Sequence, residues 1–174
     1  MTEALNLDLK PDCARCCGLC CVAPAFAASS DFAINKPAGK PCPKLTRDFR
    51  CSIHERLRPE GFPGCVAYDC FGAGQKVTQL TYKGKDWRSS PGIAGEMFEV
   101  FEVMQQLHSM LTYLDQALGL EPAQALFDEL KAKYHQIRKL SEGTPESLDA
   151  VDVPAHRRNV DDLLLRVSEL VRAV

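Results

Sequence analysis

Between residues 13 and 21 the chain reads Cys13-Ala14-Arg15-Cys16-Cys17-Gly18-Leu19-Cys20-Cys21, five thiols in nine residues. Cysteine is often buried as a small hydrophobe, but packing alone gives it no reason to crowd in this way. Four more thiols follow at Cys42, Cys51, Cys65 and Cys70, and no cysteine comes after them. Whatever chemistry the chain carries is therefore expected in its first 70 residues.

The compartment decides how such thiols are read. The opening MTEALNLDLKPD is polar and acidic, without the apolar stretch of a secretory signal, and no run approaches the roughly 18 apolar residues of a membrane span. The expected location is the cytoplasm, with no membrane partner. In a reducing compartment dense cysteines point to metal or redox chemistry, whereas in a secreted chain they would form disulfides. The adjacent pairs Cys16-Cys17 and Cys20-Cys21 also argue against an unambiguous disulfide framework.

The net charge of −2 hides an asymmetry. Residues 1–91 carry 13 Lys and Arg against 9 Asp and Glu, while residues 92–174 carry 8 against 14. The positive half is the one that holds the thiols, and nearby cations favour the thiolate that a metal requires. Arg15, Arg47, Arg50, Arg56 and Arg58 are candidates for that role, and a solvated basic face is the plainer alternative. A nucleic-acid partner is not expected, because the whole-chain pI is near 6.1 and no aromatics interleave the basic residues.

The same boundary separates two textures. Residues 1–91 hold 8 of the 11 prolines and 7 of the 11 glycines and show no sustained period. Lys76 to Tyr82 is the best strand candidate there, bounded by Gly74 and Gly84. After Pro91 apolar residues recur at three and four: Met97, Val100, Phe101, Met104, Leu107, Leu111, Leu114 and Leu118 predict one long helix ending at Gly119. Pro122 opens a second helix with Leu126, Phe127, Leu130, Tyr134 and Ile137 on one face, running to about Leu140. A turn is expected at Glu142-Gly143-Thr144-Pro145. Pro154 stands near the start of a third helix with the stripe Val160, Leu163, Leu164, Val167, Leu170, Val171 and Val174. The expected fold is mostly α: a loop-rich, cysteine-rich region over 1–91 packed on an antiparallel bundle of about three helices over 92–174. His108, His135 and His156 fall on these helices without a metal-binding spacing and are expected to be surface or structural.

Cys13-x2-Cys16 and Cys17-x2-Cys20 are overlapping pairs at the spacing that lets one turn aim two sulfurs at one metal. Cys42 and Cys51, with Cys65 and Cys70, can complete a tetrahedral site or hold a cluster, and all-sulfur ligation suits zinc and iron–sulfur clusters alike. Nine thiols exceed one four-ligand site by five, and two sites would use eight. Neighbouring side chains such as Cys20 and Cys21 diverge, so they rarely serve one ion but can serve two metals. His54, three residues after Cys51, is a possible nitrogen ligand. Cys13-x3-Cys17-x2-Cys20 has the spacing of radical S-adenosylmethionine enzymes, yet no strand–helix alternation follows it, and no βαβ pattern frames a thioredoxin-like site.

Cys17-Gly18-Leu19-Cys20-Cys21, Cys42-Pro43-Lys44-Leu45, Cys51-Ser52-Ile53-His54-Glu55-Arg56 and Gly64-Cys65 followed by Cys70 together resemble the YkgJ-type cysteine-cluster family, described as zinc- or iron-chelating. The stretch Tyr68 to Gln75 resembles the version at the front of actinobacterial pentapeptide-repeat proteins, although residues 1–174 contain no such repeats. The resemblance implies metal or cluster binding and supplies no reaction. The expected ligands are Cys17, Cys20, Cys42, Cys51, Cys65 and Cys70, with Cys13, Cys16 and Cys21 secondary, holding an iron–sulfur cluster in preference to zinc. The partner would be a protein or an electron carrier. Two alternatives remain: a metal- or cluster-dependent enzyme acting on a peptide or protein, and a structural zinc module acting through its helices.

Overall fold

In the computed structural model, which describes residues 9–173, the apolar period after Pro91 becomes a 25-residue helix, Ala94–Leu118, against which the other elements pack. In chain order the helices are α1 (Pro63–Ala67), α2 (Ala73–Gln75), α3 (Ala94–Leu118), α4 (Phe127–Ser141), α5 (Pro145–Asp149) and α6 (Val153–Arg172). Short 3-10 turns punctuate the rest, at Cys13–Arg15, Leu19–Cys21, His54–Arg56, Pro91–Ile93 and Glu121–Leu126. The architecture is the expected one, a loop-rich first half and a helical second half.

Helix α3 has two useful faces because its apolar residues outnumber one stripe. The predicted positions from Met97 to Leu114 are buried, and so are Met110 and Ala117. That width lets α3 contact α4, α5 and α6 and also α2 with the turn that follows it. Helices α4 and α6 run antiparallel: Glu129, in the first turn of α4, takes two hydrogen bonds of 2.6 and 2.8 Å from Arg166 near the end of α6. Asp152 caps α6 by accepting from Ala155 N at 2.9 Å, satisfying an amide that the helix itself leaves unpaired.

One core crosses the boundary between the halves. Cys17, Leu19, Val22, Ala23, Ala73 and Val77 are buried in the same cluster as the α3, α4 and α6 residues. A smaller cluster of Ile53, Leu57 and Phe62, with Phe26, Phe32 and Ile34 against it, serves the loops between. Segment 24–72 thus rests on a cluster of three buried apolar side chains, the short helix α1 and its turns.

Three expectations need correction. Lys76–Tyr82 is no strand: α2 continues into a π-helical segment, Lys76–Thr81. A strand needs an edge to pair with, and the only pairings among the described residues are two isolated bridges, Phe26 with Lys36 and Leu45 with Cys51. Burial of Val77 and Thr78, with Thr78 Oγ1 donating to Gly74 O at 2.8 Å, decides the helical outcome over β-propensity. Phe127 and Val171 lie at the edges of their stripes and are 39% and 42% exposed. Beyond the expected turn at 142–145, Thr144 caps the short helix α5, whose Leu148 fills the core. Val174, placed on the third stripe, lies outside the described residues.

Candidate metal centre

All nine cysteines are free thiols. Four of them share one small cavity, and the others are placed by separate contacts. Cys13, Cys16, Cys20 and Cys70, together with Asp12, Gly74, Gln75 and Phe101, line a cavity of about 20 Å³. Cys16 Sγ sits only 2.6 Å from the position a Cβ would take at Gly74, so this thiol occupies space that any other residue there would fill.

The second group is gathered by the backbone. Cys42 N donates to Cys21 O at 2.8 Å, and the Leu45–Cys51 bridge folds Cys51 back beside the Cys42 turn. Cys51 and Cys65 both pack on the Ile53, Leu57 and Phe62 cluster. The four feel one another's charge. Burial first, then Cys21, Cys42 and Cys51, push the Cys65 thiol up to about 11, while burial, then Cys21 and Cys42, raise Cys51.

Cys17 is placed differently. Its buried sulfur lies 3.4 Å from Thr78 Oγ1 and 3.9 Å from Met97 Sδ, and its carbonyl accepts from Trp87 Nε1 at 2.9 Å. Cys20 and Cys21 straddle the two groups, their sulfurs 3.9 Å apart. The Cys20 thiol is raised by donating to Cys21 and by burial; Cys21 is correspondingly lowered by that bond and by Lys36. His54, the candidate nitrogen ligand, is exposed on its 3-10 turn.

Backbone N–H groups oppose the effect of burial at four of the thiols: Leu19 and Gly18 at Cys16, Lys44 at Cys42, Ile53 at Cys51, and Gly74 and Gly72 at Cys70. Such bonds favour the charged form and would tune a bound metal. Gly18, with a φ of +71°, turns the chain left-handed between the Cys16-Cys17 and Cys20-Cys21 pairs. Burial still wins: it raises Cys16 to about 11 and raises Cys42, Cys51 and Cys70 as well. A cation bound among such thiols would favour their ionised form.

Side chains outside the thiol set hold these turns in place. From α3, His108 Nδ1 donates to Phe71 O at 2.7 Å and Gln105 Nε2 to Asp69 O at 3.1 Å, gripping the loop on both sides of Cys70. Gln75 binds Lys10 O and Asp12 N at 2.7 and 3.1 Å, and Gln79 binds Arg15 O at 2.8 Å. Arg50 donates to Cys13 O. Helices in the bundle half therefore position thiols in the loop half. The His108→Leu variant, which removes a partner from a covered carbonyl, is expected to lose about 1–3 kcal/mol in urea unfolding and to loosen the Cys70 loop.

The cation nearest the second group is one that charge counting missed. Lys36 is 3% exposed, and its Nζ donates to Val22 O, Pro37 O and Lys40 O at 3.1, 3.2 and 2.9 Å over the Phe26 ring. Burial lowers its pKa, and Cys42, Cys21 and Cys20 oppose that change. Of the arginines expected there, Arg15 pairs with Asp12 and Arg56 with Glu60. No sequence signal marks a loop lysine for burial; only the tertiary closure of residues 22–42 places it.

Among the described residues no three His, Cys, Asp or Glu side chains converge as closely as a single bound ion requires. Rotation about one bond moves each sulfur between staggered positions while the backbone turns that carry the thiols stay in place. Also among the described residues, no helix is long and apolar enough to cross a membrane. A larger pocket of about 650 Å³ lies between α4 and α6, lined by Glu129, Lys133, Gln136, Asn159, Asp162 and Arg166 with two apolar residues, and it includes no cysteine.

No family model matches the chain, so the resemblance to the YkgJ-type family rests on the motifs alone, and no solved structure matches it. Over 171 residues, 98% of its length, the chain is 51% identical to a Bacillus subtilis (strain 168) protein named "Uncharacterized protein YybG", and it spans 61% of that protein's length.

Proposed function

We propose that the chain is a cytoplasmic metal-binding module whose clustered cysteines hold an iron–sulfur cluster for redox or sensing work. The observation that carries this reading is the gathering of Cys13, Cys16, Cys20 and Cys70, drawn from both ends of the first 70 residues, around one small cavity. Thiols that only fill a core have no reason to share one wall in this way, whereas ligands of one metal centre must. The donor set fits the group: thiols are the ligands of both zinc and iron–sulfur centres, and they lie in a covered, partly cationic setting.

The surplus of thiols over the four that one zinc takes, with the buried cation Lys36 beside them, favours the cluster. The size of the cavity favours the second reading, a zinc site: about 20 Å³ is room for one ion or water.

Metal and sulfide analysis with a visible spectrum, on full-length protein purified without oxygen, separates these. Iron with matching sulfide and a broad band near roughly 400 nm would support the cluster. Colourless protein with tightly held zinc would support the second reading. Protein that takes up neither, even after reconstitution, would overturn both. In the same assay Gly74→Ala is expected to lower metal content, because its Cβ would displace the Cys16 sulfur.

A further inference from the structure

Nine thiols divide unevenly among the metal sites they could build, and the fold settles how they are grouped in space. Cys13, Cys16, Cys20 and Cys70 share the walls of one small cavity, although their sequence positions span 58 residues. Cys21, Cys42, Cys51 and Cys65 are drawn together by a different set of contacts: the Cys42–Cys21 hydrogen bond, the Leu45–Cys51 bridge and the apolar cluster shared by Cys51 and Cys65. Cys17 belongs with Thr78, Met97 and Trp87.

Consecutive residues with different company are the key. Cys20 lines the cavity, while Cys21 accepts the hydrogen bond from Cys42 N at its carbonyl; contrary to the divergence expected of neighbours, their sulfurs are in contact at 3.9 Å, which sets the two groups side by side. Two residues in sequence rarely ligate one ion, but they can each serve a neighbouring one. We infer, building on the metal-binding reading above, that the chain holds two four-thiol metal sites meeting at the Cys20–Cys21 peptide. Cys13, Cys16, Cys20 and Cys70 ligate the first, Cys21, Cys42, Cys51 and Cys65 the second, and Cys17 serves neither.

The arrangement gives each thiol one task. It uses eight cysteines and leaves over the one whose sulfur already contacts a hydroxyl and a thioether inside the core. It also reverses two expectations drawn from spacing, for Cys17 leaves the ligand set and Cys13, Cys16 and Cys21 enter it on equal terms. The two sites differ in surroundings. The second has the buried Lys36 beside it, which offsets part of its negative charge, and the first has Asp12 at its rim. Cys13 also lies within the field of Cys51, so the two sets are close neighbours and not separate modules.

The test counts metal in the full chain, reconstituted without oxygen either with iron and sulfide or with zinc alone. The wild type is expected to hold two centres, about eight iron for two four-iron clusters or two zinc ions. Cys70→Ser and Cys42→Ser should each retain half of that, the double variant none, and Cys17→Ala the full amount. A second measurement needs no variant: during slow chelation of the wild type, thiol alkylation followed by mass spectrometry should expose the thiols in the two stated sets of four, with Cys17 in neither. One centre in the wild type, or chelation that releases a mixed set such as Cys16 with Cys42, would overturn the two-site assignment and leave the metal-binding reading standing. Wild-type protein that takes up no metal at all would overturn that reading itself.

Discussion

On the proposed metal-binding reading, stripping the metal is expected to release the backbone of residues 24–72 to hydrogen exchange while α3, α4 and α6 stay protected. Apart from the Cys42 thiol, this segment has three buried apolar side chains of its own, Ile53, Leu57 and Phe62. At roughly 1.5–3 kcal/mol each, these contribute less than the roughly 10–16 kcal/mol of apparent binding energy that a structural metal supplies in a small domain. Its backbone pairing is sparse as well, two isolated bridges among turns. Amides such as Lys36 N, Cys42 N, Ser52 N and Cys65 N, whose acceptors are Phe26, Cys21, Lys44 and Phe62, should therefore lose protection first. Residues 17–23 and 73–82 should lose less, because Leu19, Val22, Ala73 and Val77 are embedded in the core of the bundle. The measurement is exchange mass spectrometry before and after chelation. Unchanged exchange across 24–72 would mean that the loops hold themselves.

The helical half was legible because its period is a direct consequence of geometry. Met97 to Leu118 recur at three and four, and a helix with that stripe has one stable use, covering a core. The loop half followed different rules. Val77, Thr78 and Thr81 have side chains that suit a strand, but no edge lies near them, and burial against α3 made a π-helical turn of them. Leu148 was missed because a single apolar residue carries no period, although Thr144 and Pro145 spell a helix start. Cysteine spacing offered Cys13 with Cys16 and Cys17 with Cys20 as pairs, and the structure keeps the first on one cavity but separates the second, Cys17 packing against Thr78 and Met97. Spacing could not say which thiols are companions, because that depends on how residues 42–65 fold back on the first turn. Nor could it show that His108 and Gln105 would reach out of the bundle to hold the Cys70 loop, a contact made across some 37 residues of chain.

Phe101→Ala and Leu111→Ala form a pair that separates stability from site integrity. Both side chains are on α3 and almost wholly buried, at 1% and 0% exposure. Truncating either leaves a cavity in a close-packed core, and the expected loss is about 3–5 kcal/mol for the phenylalanine and about 2–5 for the leucine. Their surroundings differ. Phe101 is a wall of the cavity lined by Cys13, Cys16, Cys20 and Cys70, and its ring would lie 4.0 Å from a Cβ placed at Gly74. Leu111 stands ten residues further along the same helix, a rise of about 15 Å, on the part that serves the bundle. Urea unfolding should report comparable destabilisation for the two variants, and metal analysis at low temperature, where both remain folded, should report a loss only for Phe101→Ala. That loss should be confined to half the bound metal, since the Cys21, Cys42, Cys51 and Cys65 set has its own support in Ile53, Leu57 and Phe62. Full metal content in Phe101→Ala would show that the first thiol set holds its shape without the helix behind it.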